Sequence, residues 1–205
     1  YLLGAARGGD DNDVVVNLSG AQATFISGDF GNDSVFNGGY LVGNLFGGDG
    51  ADTVVNAAFS YSAGANLGAG NDQFLNGGYL NGTVDCGIGN DTVSLGGYVA
   101  GGVLCGDGSD VVYIFNGVVA GDGAGVAGMI DGGTGSDGLA FAFTVSVPSQ
   151  AAADAIASAI ATASPAGGTI TIGQLTYTWM NFETLYNLMA YTINEPVVIT
   201  ITVTR

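Results

Sequence analysis

Residues 86–104 read C-G-I-G-N-D-T-V-S-L-G-G-Y-V-A-G-G-V-L, and Cys105 opens the next copy of the same phrase. Counted from Asp91, apolar residues fall at plus two (Val93), plus four (Leu95), plus eight (Val99) and plus twelve (Val103). The copy anchored on Asp72 places Phe74, Asn76, Leu80 and Val84 at those positions, and the copy anchored on Asp33 places Val35, Asn37, Leu41 and Leu45 there. Such alternation describes two short strands per copy, parted at Gly-Gly 38–39, 77–78 and 96–97. In a strand successive side chains point to opposite faces, so these positions share the inward face, and the glycines make the tight turns. Asn17, Asn37, Asn56 and Asn76 all stand at plus four. Their amides are expected to bond one another along the interior, because a buried amide without a partner costs about 1–3 kcal/mol.

The anchoring aspartates are Asp13, Asp33, Asp52, Asp72, Asp91 and Asp110, spaced by 19 or 20 residues, with Asp137 after an interval of 27. A fixed period of this size in a glycine-rich chain marks a solenoid, in which each coil buries its inner face only by stacking on its neighbours. The fold expected is all-β, a parallel β-roll or β-solenoid of about seven to nine coils with 19–20 residues per coil. Stacking sets one carboxylate above the next at roughly the 4.8 Å strand spacing. A bare column of this kind repels itself and calls for a cation. Calcium takes six to eight oxygen ligands, backbone carbonyls included, and a G-x-G-N-D turn offers carbonyls turned by positive-φ glycines beside a carboxylate. The seven aspartates are therefore the candidate metal ligands. The acidic position three residues earlier holds Asp10, Asp49 and Asp107 but Phe30, Ala69, Ile88 and Thr134 elsewhere, so it reads as outward and optional.

Composition narrows the classes. The chain has 205 residues, 38 glycines and 3 prolines, and its 18 acidic residues face 2 basic ones, Arg7 and Arg205, for a formal charge of -16. Nothing here neutralises phosphate, which excludes nucleic acid as a partner. Without a histidine there is no His-based triad and no His-ligated zinc. No run of about 18 apolar residues occurs, so membrane insertion is not expected. These features suit a secreted, extracellular, cell-surface protein processed or excised from a longer one.

The repeats resemble the calcium-binding repeats of the repeats-in-toxin (hemolysin-type) family. Its nonapeptide G-G-x-G-x-D-x-U-x is matched by G-G-D-G-A-D-T-V-V at 47–55. Closer still is the 19-residue variant of large bacterial surface adhesins, x-G-T-G-N-D-x-U-x-U-G-G-x-U-x-G-x-U-x, which residues 86–104 fit except at Ile88. The resemblance spans about residues 8–140 and implies a calcium-loaded roll with the aspartate column as ligands. In an ice-binding form of that variant, outward Thr and Asn on the calcium turn make the ice-facing array. Here the matching pairs run from Asp10/Asn12 to Thr134/Ser136, and only the last has that chemistry.

Outward positions are unexpectedly apolar. Val16, Phe36, Val55, Leu75 and Tyr113 stand at plus three, and Tyr40, Phe59, Tyr79 and Tyr98 at plus seven. A stripe of this kind marks either a contact surface or a face covered by the chain's own C-terminal segment. Cys86 and Cys105 hold equivalent places in successive coils, as a stacked disulfide or as two inward thiols. After Asp137 the period breaks. Residues 149–163 read as a short helix capped by Ser149 and stopped at Ser164-Pro165, and 168–185 return to strand alternation, including N-F-E-T-L at 181–185. The division expected is 1–147 for the calcium-binding repeats and 148–205 for the helix, the last coils or cap and a C-terminal strand. That strand, within 196–205, is expected to pair with a neighbouring molecule or open a further domain, with the coil at Tyr1 as a candidate acceptor.

The function expected is a calcium-stabilised structural module, part of a filament, surface layer or adhesin stalk, which associates with copies of itself laterally or head to tail. A ligand-binding solenoid, for ice or glycan, is the alternative, and an enzyme is not expected. A regular outward Thr row would favour ice, and an aromatic groove with polar neighbours would favour glycan.

Overall fold

A computed structural model describes residues 4–115, 125–147, 149–172, 175–193 and 201–204. The chain winds a parallel β-solenoid of about six regular turns. One wall is an eight-stranded parallel ladder: Val14–Asn17, Ser34–Asn37, Thr53–Asn56, Gln73–Asn76, Thr92–Leu95, Val111–Ile114, Gly138–Phe141 and Thr184–Asn187. The last two strands add to the regular turns the coils of Asp137 and of Thr184. Register is exact in type: Val35, Val54, Phe74, Val93, Val112 and Leu139 face one another rung by rung, and all are buried. The facing wall carries the Tyr40–Leu41 to Tyr98–Val99 pairs and a second parallel run through Gln22–Phe30, Asn44–Asp49, Gly64–Ala69, Val84–Asp85, Val103–Leu104 and Met129–Asp131. Between the walls lies a single stacked core.

The inward asparagines form the expected ladder. Asn17 Nδ2 donates to Asn37 Oδ1 at 2.8 Å, Asn37 to Asn56 at 2.9 Å and Asn56 to Asn76 at 2.9 Å. Asn76 Nδ2 closes the run on the Tyr98 carbonyl at 3.1 Å. The second amide hydrogens reach turn carbonyls, as Asn37 does to Tyr61 O at 3.0 Å. Every amide is thus satisfied by the coil above it. The ladder ends where Leu95 and Ile114 take over the same position.

The single helix among the described residues runs Gln150–Thr162, with the Ser149 hydroxyl accepting from the Ala152 N–H at 3.3 Å. It buries Ala153, Ile156 and Ile160, one face at helical spacing. Beyond it, Gly167–Ile172 and Leu175–Met180 form an antiparallel pair, and Leu175–Met180 continues the wall in parallel on Met129–Asp131. Trp179, Tyr177 and Phe141 pack edge to face beneath this pair. The C-terminal strand departs from expectation: Ile201–Thr204 pairs antiparallel with Gly167–Ile172 of its own chain. The Thr169–Ile172 edge takes up one side of the strand, which then stands last in its sheet among the described residues. Tyr1, residues 196–200 and Arg205 lie outside the described residues.

Replacing Asn56 with Ala removes one donor and one acceptor from a dry ladder and leaves Asn37 and Asn76 each short of a partner. The expected loss is about 1–3 kcal/mol in urea unfolding, against less than about 0.5 kcal/mol for the exposed Gln73→Ala.

Candidate metal column

Each coil reaches its column aspartate through two left-handed residues, four and two positions before it. They are Gly48 and Gly50 before Asp52, Gly68 and Gly70 before Asp72, Gly87 and Gly89 before Asp91, and Gly106 and Gly108 before Asp110, all at positive φ. A Cβ built on Gly89 would lie 1.7 Å from the Gly70 carbonyl oxygen, and one on Gly108 would lie 1.8 Å from that of Gly89. Conformation and close approach both demand glycine there. The glycine carbonyls consequently line up along the axis, each aimed at the next coil's Cα.

The aspartates are tied together by their own backbone. The Asp13 N–H donates to Asp33 Oδ1 at 2.7 Å, Asp33 to Asp52 at 2.8 Å, and Asp52 to Asp72 at 2.8 Å. The series continues from Asp72 to Asp91 at 2.8 Å, Asp91 to Asp110 at 2.7 Å and Asp110 to Asp137 at 2.8 Å. One residue earlier the sense reverses: Asn12, Asn32, Asn71 and Asn90 accept through Oδ1 from the following coil's N–H, at 2.7–2.8 Å. Two antisense side-chain ladders thus zip each turn to both neighbours. The sequence reading missed how the column ends. The Asp137 N–H donates to Glu183 Oε2 at 2.6 Å, so the glutamate of N-F-E-T-L takes the next place. The signal was Glu183-Thr184-Leu185, which repeats the Asp-Thr-Val phrase of coils 52–54 and 91–93 with a longer acid.

The other carboxylate oxygen is the chemical anomaly. Oδ2 of Asp33, Asp52, Asp72, Asp91, Asp110 and Asp137 is buried and has no hydrogen-bond partner. A buried, unpartnered anionic oxygen is unfavourable. Burial pushes Asp72 and Asp110 up to about 7 and Asp91 up to about 6, against the N–H bond that each accepts. Burial also raises Asp52 and Asp137, where neighbouring acids add to it. Among the described residues no three His, Cys, Asp or Glu side chains converge into a preformed metal cluster. The orphaned oxygens fit a divalent cation only if backbone carbonyls supply most of its shell, which calcium accepts.

The outward apolar residues are exposed or half-buried and fall into two rows, the first of which passes beneath cover at the buried Ala140. Val16, Phe36, Val55, Leu75, Ser94 and Tyr113 stack in register along the eight-stranded wall and continue to Ala140 and Tyr186. The second row corrects the expectation. It runs Tyr40–Tyr61–Tyr79–Tyr98, with rings stacked at 4.7, 5.6 and 4.9 Å. Phe59 is not in it. Ala57-Ala58-Phe59-Ser60 replaces the Gly-Gly corner with two residues more, which shifts Tyr61 into the row and throws Phe59 outward, fully exposed at φ 65. The helix does not cover these rows, since Phe36, Tyr40, Leu75 and Tyr79 stay exposed.

Cys86 and Cys105 are free, buried thiols on adjacent rungs. The contact with Cys105, then burial, push the Cys86 thiol well above its usual range. No helix among the described residues is long and apolar enough to cross a membrane. Comparison of the chain with protein-family models, with curated proteins and with solved structures found no match.

The raised carboxylates carry a pH signature with a defined sign. Their folded values lie above the ordinary 3.8, so their contribution is fully present below about pH 4 and is lost as pH rises through 6 to 7. In metal-free buffer the melting temperature is expected to fall between pH 5 and pH 8, and added calcium to reverse the trend. A flat metal-free profile would contradict the buried, unpartnered state of Oδ2.

Proposed function

We propose that this chain is an extracellular calcium-stabilised structural module of the repeats-in-toxin type, which associates with copies of itself in a surface filament, surface layer or adhesin stalk. The observation that carries the calcium reading is the run of six buried Oδ2 atoms without partners, in a chain with 18 acidic and 2 basic residues. Among the described residues the one basic side chain, Arg7, is paired with Asp29 and does not serve the column, whereas a divalent ion bridging coils can. Asp13, Asp33, Asp52, Asp72, Asp91, Asp110 and Asp137 would hold the ions, with glycine carbonyls of the turns completing the shells. The bound ions offset repulsion and lock neighbouring coils together. Calcium near millimolar, the range that suits weak extracellular modules, would thereby set whether the chain folds and how stiff it is.

Self-association is supported by the two outward rows. Soluble monomers seldom leave a long aromatic and aliphatic strip in water, and the Tyr40–Tyr61–Tyr79–Tyr98 stack is a flat, rigid surface that gives up little side-chain entropy on contact. The absence of histidine and the engagement of the aspartates with backbone N–H groups favour a structural role over a catalytic one.

Circular dichroism in calcium and then in chelator tests the metal reading. At pH 8, where the column carboxylates are charged, the β signal is expected to collapse on chelation and return with calcium, and Asp72→Ala with Asp91→Ala is expected to raise the calcium midpoint several-fold. An unchanged spectrum in chelator would sink it. Sedimentation velocity tests association separately: the wild type is expected to form larger species in calcium, and Tyr61→Ser with Tyr79→Ser to stay monomeric while folded. Strict monomers at high concentration would remove the structural role and leave the calcium reading intact.

A further inference from the structure

A groove of about 660 Å3 lies on the first four coils and shares no lining residue with the two apolar rows. Its floor is aromatic. Phe25 and Phe46 meet edge to face at 5.9 Å, and Phe30, 58% exposed, borders them. Its polar groups are mainly carboxylates: Asp10, Asp29 and Asp49 line it beside one cation, Arg7.

Arg7 is already recognised by the groove. Its guanidinium carbon sits 4.9 Å from the Phe25 ring centre and Nη1 donates to Asp29 Oδ1 at 2.7 Å. The Ser27 hydroxyl donates to the same oxygen at 2.6 Å and fixes the carboxylate. Asp29 itself is an irregularity with a cost. It stands four residues before the column aspartate at φ 76, where the other coils have Gly9, Gly48, Gly68, Gly87, Gly106 and Gly133. A side chain held in the left-handed region costs free energy and concentrates at functional sites. The first coil has Asp11 at φ 74 two residues before its column aspartate, but only Asp29 stands in the glycine place four residues before, and there the turn gains a carboxylate paired with a guanidinium.

We propose that the groove docks an arginine side chain presented by a partner polypeptide. Arg7 over Phe25 against Asp29 is the template, and Phe30 and Phe46 with Asp10 and Asp49 offer the same pairing of ring and carboxylate to a second guanidinium. An arginine is drawn to an aromatic face and to a carboxylate together, because it is flat, weakly hydrated and always charged. The net charge of -16 adds long-range attraction for a basic partner. The volume suits a segment of a few residues. A second copy of this chain has little to offer, since its two basic residues are Arg7, already seated in the groove, and Arg205. The site stands whether or not the chain self-associates.

The test is NMR titration in calcium buffer of the protein carrying Tyr61→Ser and Tyr79→Ser, which removes the association surface and leaves the groove intact, at about 0.15 M salt, where the Debye length is about 8 Å, with Gly-Arg-Gly and with its neutral isostere Gly-citrulline-Gly. The arginine peptide is expected to shift resonances of residues 25–30 and 46–49, and the citrulline peptide to leave them unmoved. Phe46→Ala and Asp49→Asn are each expected to weaken binding about three- to ten-fold, and Asp154→Asn, on the remote helix, to leave it unchanged. Removing the internal occupant with Arg7→Ala is expected to strengthen binding. Equal responses to both peptides, equal losses from Asp49→Asn and Asp154→Asn, or binding of cellotetraose that needs Arg7 would each overturn the assignment. The last outcome would mark a glycan groove instead. Asp49→Asn is exposed and keeps the test readable if Phe46→Ala disturbs the fold.

Discussion

Everything in this solenoid depends on one bond repeated along its axis: an aspartate carboxylate accepting the backbone N–H of the aspartate one coil earlier. That bond fixes the distance and phase of neighbouring coils at one of the corners where the chain must turn. It also dictates the chemistry, because holding Oδ1 against the neighbouring coil leaves Oδ2 turned inward with nothing to bond. A hydroxyl or amide at this position would close the turn without that consequence. The carboxylate closes it and leaves a line of charge that a divalent ion can join.

The glycines make this bond attainable. Paired left-handed residues let successive turns approach until carbonyl oxygens touch the next coil's Cα, a packing that any Cβ would obstruct. Rigidity follows from three ladders acting on the same coils: carboxylates and asparagines on the turn, and buried amides inside the wall. Because each rung bonds only its neighbours, stability accumulates coil by coil. The outer surface is then free to vary without harm to the fold. On one side it carries aromatic rows, and on another a groove where ring faces meet carboxylates.

Most of the roll was legible from residue order. The alternation around Asp33, Asp72 and Asp91 identified the inward residues, and the plus-four asparagines announced their ladder, because position modulo the period equals position in space. The same rule failed where the period changed. Phe59 counts as a member of the tyrosine row by distance from Asp52, yet two extra corner residues move it out and put Tyr61 in its place. Glu183 lies 46 residues beyond Asp137 and still joins the column, after an interval that counting does not bridge. The strand at 201–204 looked free in the sequence, and an edge created by the preceding hairpin claims it.

By itself, then, the sequence determined the solenoid, its inner and outer positions, the turn that repeats and the aspartates that stack. These follow from a periodic pattern in which each coil meets the same surroundings. Tertiary structure alone decided which oxygen of each carboxylate is satisfied and which is stranded, where the column ends, and which exposed rings stand in line. It also brought Arg7 of one coil onto Phe25 and Asp29 of the next. Those outcomes depend on the direction of side chains and on contacts between coils, and a period in one dimension carries neither.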